Sequence, residues 1–289
     1  MTPPRLETTS ERADEIARAA LTRLATVEVD GLILYDVDAE GDRSSVPRPF
    51  PYLPMMDPAI FHRQHLSGWT GPVIVYRAVG KYPQSELSDW LTSADADRVL
   101  TVLVGASSRN QPVQTRLTDA YHLLAGLDRH PGLGGVFIAE RHAATGREHE
   151  RMLSKQAAGC EFFVSQVCYD VDHTRDVLSA YAYACQDAGL TPKPTILTLA
   201  PCGSTKTLEF MSWLGIDVPR WLQTEIARAA DPLAESYEQC LTNAQILIAF
   251  CRRLGLPFGI NIESLTNRKV EIEASIDLAR ATRDLLRPA

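Results

Sequence analysis

The sequence is as informative for what it lacks as for what it holds. Its 289 residues contain six cysteines, Cys160, Cys168, Cys185, Cys202, Cys240 and Cys251, and no two form a Cys-x-x-Cys pair. The seven histidines show no His-x-x-x-His or His-Glu-x-x-His spacing, so no zinc ligand set is legible and the thiols read as free, buried side chains. No basic stripe interleaved with aromatics occurs, and a formal net charge of -7 argues against nucleic acid as partner. The longest apolar stretches reach about half of the roughly 20 residues a membrane span needs. The amino terminus lacks a charged-then-apolar signal, and the expectation is a cytoplasmic protein without membrane contact. No strand end carries Gly-x-Gly-x-x-Gly, which argues against a Rossmann fold, and no β-hairpin turn is visible.

What is present alternates. Residues 10–26 have helical character, with Ile16, Ala20, Leu21 and Leu24 on one face. A strand follows at 31–35. Residues 36–57 then form a proline-rich loop, too long for a mere connector and suited to a lid, a binding loop or a solvated insert. Helices at 58–67, 84–93 and 112–128 lead to strands at 72–78, 99–105 and 134–139. A helix led by the capping-box spacing Thr145-Gly-Arg-Glu148 and stopped at Gly159 leads to strand 162–167. Helix 172–188 leads to strand 194–200. Helices at 203–213, 219–229 and 233–254 precede strand 257–262, and a last helix spans 268–286. Gly203-Ser204-Thr205-Lys206 looks like part of a phosphate loop but lacks its leading spacing, and reads as a helix cap.

Seven strand and helix alternations without hairpins are the signature of a parallel sheet. Open doubly wound and closed barrel arrangements both fit. The length favours one (β/α)8 TIM-type barrel domain over 1–289, since about 250 residues is typical. Such a barrel needs eight strands, so one is missing, and it would lie before residue 3. In parallel α/β folds the chemistry collects past the carboxyl ends of the strands. Glu140, Arg141 and His142 follow one strand there, and Gln166, Tyr169 and Asp170 close the next.

These segments resemble the methylenetetrahydrofolate reductase family. Ala139-Glu140-Arg141-His142 is similar to the family's Pro-Glu-x-His. Leu153-Ser-Lys155-Gln-Ala-Ala-Gly159-Cys and Ser165-Gln166-Val-Cys-Tyr169-Asp170 are similar to its Leu-x-x-Lys-x-x-Ala-Gly-Ala and Thr-Gln-Phe-Phe-Phe-Asp. Leu199-Ala-Pro-Cys202, Gly215-Ile-Asp-Val-Pro219-Arg-Trp-Leu, Leu265-Thr-Asn267-Arg268 and Pro3-Pro4-Arg5 follow in matching order. The resemblance is specific over roughly half the chain.

The resemblance implies a barrel that passes hydride from NAD(P)H, directly or by way of FAD, to methylenetetrahydrofolate, giving methyltetrahydrofolate. It places Gln166 against the pterin and the nicotinamide, Lys155 and Arg151 near FAD phosphates, and His142 and Glu140 beside flavin or pterin. Tyr169, Asn267 and Arg268 would contact the folate; Arg77 and Tyr35 are placed on the cofactor side, Tyr35 by its own chemistry as a stacking face for a ring, or else simply core rim. Departures are equally plain. The family's first-strand Glu has no counterpart here. Its fourth-strand Arg-Gly-Asp reads Val104-Gly105-Ala106, and its third-strand His-Leu-Thr-Cys reads Val75-Tyr76-Arg77-Ala78. A ring-opening acid is then sought in Asp36 or Glu140; the alternative for Asp36 is a cap or loop hydrogen bond, and for Glu140 an ion pair with Arg141 or Arg147. Two alternatives stand beside the reductase: a non-reducing folate-binding paralogue acting in methyl transfer, and an inactive form.

Overall fold

The structure is a computed structural model that describes residues 1–38, 44, 46–106 and 112–287. It is an α/β fold with seven parallel strands, divided into two compact units, Met1–Gly135 and Val136–Ala289. Part of the long loop read at 36–57 lies outside the described residues, as do 107–111.

In the first unit, α1 (Ser10–Leu24) is capped by Thr9, whose side chain accepts from the Arg12 N–H. Strands β1 (Leu32–Leu34), β2 (Val73–Ala78), β3 (Val99–Val104) and β4 (Gly132–Phe137) pair in consecutive parallel order, with Leu32 opposite Val73, Val73 opposite Val99 and Leu100 opposite Gly132. Every residue of β2 is buried, as a parallel strand covered on both faces requires. Helices α2 (Pro58–His65), α3 (Gln84–Ser93) and α4 (Leu117–Ala125) intervene. Ala13, Ala17, Leu34, Phe61 and Leu66, all fully buried, form the core between α1, α2 and the sheet. Met1 lies along the free edge of β1: its amino group donates to the Ile33 carbonyl at 2.6 Å and its carbonyl accepts from the Tyr35 N–H at 3.0 Å. That edge is where the sequence pattern calls for one more strand.

The second unit opens with two helices where the sequence suggested a loop and one helix. Segment α5 (Ala139–Thr145) ends at Gly146, whose φ of 68° allows the left-handed cap, and α6 (Glu148–Ala157) starts two residues later. The spacing read as a capping box is therefore a helix-to-helix break. Glu148 does not cap its own helix: it reaches back to the Ile138 N–H at 3.0 Å and to Arg141 at 2.7 Å. Strands β5 (Phe162–Val167), β6 (Thr195–Leu199) and β7 (Phe258–Ile262) pair in parallel, with α7 (Val171–Asp187), α8 (Thr205–Trp213), α9 (Arg220–Arg228) and α10 (Pro232–Leu254) between them and α11 (Lys269–Leu286) last. Ser204 caps α8 by accepting from the Thr207 N–H at 3.2 Å, as a cap rather than a phosphate loop would. The six cysteines are free and buried. Among the described residues, no helix is long and apolar enough to cross a membrane.

Candidate functional site

Three of the residues singled out by sequence lie in the first unit, and each is engaged by its neighbours. Asp36 follows β1. One of its carboxylate oxygens accepts from the Ala78 N–H and the Tyr82 hydroxyl, both at 2.8 Å, and the other from Lys81 Nζ at 2.5 Å. With 1% of its side chain exposed, Asp36 ties the carboxyl ends of β1 and β2 together. Arg77 is 2% exposed and pairs with Asp57 at 2.6 Å. Its guanidinium stacks over the rings of Tyr82 and Trp90, at 3.9 and 4.8 Å from their centroids. A cation held in this way is a core clamp, and it is turned away from any phosphate in solvent. Tyr35 and Tyr76 sit at the same strand ends with ring centroids 4.8 Å apart.

The second unit collects the rest. Gln166 is the penultimate residue of β5 and half-buried, and its amide nitrogen donates to the Leu214 carbonyl at 3.2 Å. Leu214 closes α8, and Gly215, with φ of 78°, turns the chain into the segment Ile216-Asp217-Val218. The Asp217 N–H donates to Glu140 Oε1 at 3.1 Å. Glu140 and Gln166 thus hold the two ends of one loop, although they belong to different helix and strand elements. The second carboxylate oxygen of Glu140 is buried with no hydrogen-bond partner. Burial is the main force raising the Glu140 pKa, with the nearby Asp217 carboxylate acting in the same direction against the two backbone hydrogen bonds.

Two further groups complete the cluster. Asp170 caps α7, its Oδ1 accepting from the N–H groups of Asp172 and His173, both at 3.0 Å. His173, in the first turn of that helix, places Nδ1 3.7 Å from an oxygen of Asp170 and 3.7 Å from an oxygen of Asp217. Asn243, 1% exposed on α10, donates to the carbonyls of Cys168 and Tyr169 at 3.1 Å and fixes the backbone where β5 ends.

The other sequence candidates separate from this cluster. Tyr169 is 2% exposed and donates to the Ala200 carbonyl at 2.8 Å, so it packs in the core where a ligand contact was expected. Lys155 reaches the Val136 carbonyl, and burial lowers its pKa. Arg151 is 60% exposed and 3.9 Å from Glu148. His142 stands edge-on to His149, with centroids 5.4 Å apart, and burial followed by that second imidazole lowers its pKa. Asn267 is exposed beyond β7. Arg268, beside it, donates to the Gly203 carbonyl at 3.2 Å and to Glu271 at 3.0 Å. Glu271 is fully buried and also accepts from the Thr266 hydroxyl at 2.9 Å, so the rim carrying Asn267 and Arg268 is anchored from beneath.

Sequence reading missed His173, Asp217 and Asn243. The Asp170-x-x-His173 spacing at a helix start was a usable signal for the first. Asp217 lies within the Gly215-Ile-Asp-Val-Pro219 segment that resembles the reductase family, but nothing local marks Asn243, which arrives from a distant element.

A half-buried carboxylate with one unpartnered oxygen, an amide and an imidazole thus gather in one polar cluster past the ends of parallel strands of an α/β protein. No protein-family profile matches the chain, and no curated protein does. Among solved structures it is similar to a protein from Clostridium thermocellum described as binding two copies of 5-methyl-5,6,7,8-tetrahydrofolic acid. The two are 38% identical over 99% of this chain and 94% of the other, with a TM-score of 0.86. The chain belongs to the same family as that protein. It also shares its fold, at 13% identity and a TM-score of 0.53, with apo-MsnO8, covering 100% of this chain and 99% of that one.

Proposed function

We propose that this protein binds a reduced folate of the 5-methyltetrahydrofolate type and carries it without reducing it, as a participant in one-carbon methyl transfer. The observation that carries this reading is the 38% identity, across almost the whole chain, to a protein described as binding 5-methyltetrahydrofolic acid. The chemistry of the site agrees with it. The pyrimidine edge of a pterin offers a ring N–H and an amino group side by side, which a carboxylate such as Glu140 accepts from and an amide such as Gln166 complements. The glutamate tail carries carboxylates, and Arg268 with Asn267 offers donors at the rim.

The test is calorimetric titration of the purified protein with 5-methyltetrahydrofolate. Binding in the micromolar range, lost in Gln166→Ala, supports the reading; no heat and no protection against thermal unfolding would remove it.

One observation favours a second reading, reduction of methylenetetrahydrofolate by NAD(P)H. The raised pKa of Glu140 suits a general acid that opens the ring masking the iminium. Oxidation of NADH or NADPH that requires methylenetetrahydrofolate would promote this reading over simple carriage. Colourless protein with that activity would place hydride transfer directly between the two substrates, whereas a bound yellow chromophore would bring in FAD.

A further inference from the structure

We propose that Asp170, His173 and Asp217 form a binding site for a divalent first-row cation of the zinc type. One ligand atom from each of the first three lies within 4.8 Å of the other two. Nδ1 of His173 is 3.7 Å from a carboxylate oxygen on either side. That separation is too long for a hydrogen bond, for which about 2.7–3.2 Å is usual. It is close to the spacing of two ligands that each sit about 2.1 Å from a shared zinc ion, which at a tetrahedral angle is about 3.4 Å and grows as the angle opens.

One observation independent of the carboxylates points the same way. His173 Nδ1 is itself buried and has no hydrogen-bond partner, so its lone pair or its proton faces the cluster unused. A buried polar atom left without a partner is costly, and a cation held between the two carboxylates would satisfy this one. The outer shell is in place as well. Oδ1 of Asp170 is held by two backbone N–H groups at 3.0 Å, which turns its other oxygen toward His173. One imidazole with carboxylates suits zinc among the common ions, since an all-oxygen set would favour magnesium or calcium.

The inference stands apart from the folate reading, because the cation is read without folate. After removal of metal by chelation, the full-length protein is titrated with Zn2+ at neutral pH, and Co2+ is used as a spectroscopic substitute. The expected result is one Zn2+ per chain, a cobalt spectrum of low-symmetry nitrogen and oxygen ligation, and affinity at least 100-fold weaker in His173→Ala and Asp217→Asn. Zinc should also raise the unfolding temperature of the parent protein and leave that of His173→Ala unchanged, a comparison that checks that the variant folds. If His173→Ala does not fold, His173→Gln and Asp217→Asn carry the same test. No zinc binding, or binding that is equal in the variants, overturns the proposal. A protein that binds 5-methyltetrahydrofolate but takes up no zinc overturns the cation site and leaves the folate reading intact, whereas one that takes up zinc but binds no 5-methyltetrahydrofolate does the reverse.

Discussion

Glu140 and Asp217 meet through a single hydrogen bond of 3.1 Å, backbone N–H to carboxylate, which leaves the other Glu140 oxygen buried and unpartnered. A Glu140→Gln substitution separates the two consequences. The amide oxygen can still accept from Asp217, so the loop should hold, but the negative charge offered to a pterin edge is lost. Hydrogen bonds to charged groups contribute about 1.5–3 kcal/mol, so affinity for 5-methyltetrahydrofolate should fall by roughly 10- to 100-fold. Calorimetry on both proteins at one pH checks it.

The same carboxylate gives a pH signature. Because the folded pKa of Glu140 lies above its ordinary value, the folded state holds the proton more tightly than the unfolded chain does. The stability this supplies is complete below the unfolded pKa of about 4.5 and is lost as pH rises through the raised folded value. Glu140→Gln, which does not titrate, should therefore gain on the parent protein as pH increases across that window. Thermal unfolding from pH 4 to 8 measures the difference. A constant gap would mean that Glu140 is not desolvated in solution.

Gln166 is the second half of the loop's attachment, and its amide to Leu214 is 3.2 Å long. Gln166→Ala removes that bond together with any contact to the reacting ring, while Glu140 continues to hold Asp217. Ligand affinity, or turnover where there is any, should drop about 10- to 1,000-fold with little change in unfolding temperature. An unchanged affinity would take Gln166 out of the site and leave it a loop strut.

How much of this was legible in advance follows from how local each signal is. The α3 helix and the β5 strand lie where periodicity and apolar runs place them, because both depend on neighbours in sequence. The stretch from Ala139 to Ala157 was misread because Gly146 follows Thr145, and a helix ending at Gly146 mimics the spacing of one beginning at Thr145. At the site, Glu140 and Gln166 stood out by their position after strands. Their shared loop did not, since Leu214 and Asp217 meet them only through tertiary packing. The same limit hid the pairing of Asp36 with Lys81 and Tyr82, and of Arg77 with Asp57, which turn two apparent site residues into clamps.

The buried Glu271 makes a prediction about the rim. A Cβ at Gly203 would come within 2.5 Å of the Glu271 carboxylate, which itself holds Arg268 and Thr266. Gly203→Ala should force that carboxylate aside at a cost of about 1–3 kcal/mol, and loosen Arg268 with it. Denaturant unfolding reads the first effect. The second should appear as weaker binding of a polyglutamylated folate, with a smaller loss for a folate analogue that lacks the tail. Parent-like stability would show that Glu271 can move and anchors nothing.

Arg77 and Asp57 provide the last test, in the first unit. Burial works to raise the Asp57 pKa, but the Arg77 guanidinium and the Ile60 N–H outweigh it, and the net shift is downward. The sign of the linkage is then the reverse of that at Glu140. The stability the pair supplies is present above the unfolded pKa of about 4 and is lost as pH falls through the lowered folded value. Arg77→Ala strands a carboxylate whose side chain is only 17% exposed, and removing one partner of such a pair costs about 3–5 kcal/mol. The deficit of the variant should be largest near pH 7 and shrink toward pH 3, where Asp57 takes up a proton and no longer needs the cation. Thermal unfolding of both proteins across that range decides the matter. A deficit that does not change with pH would assign the role of Arg77 to its stacking between Tyr82 and Trp90, with the charge contributing nothing.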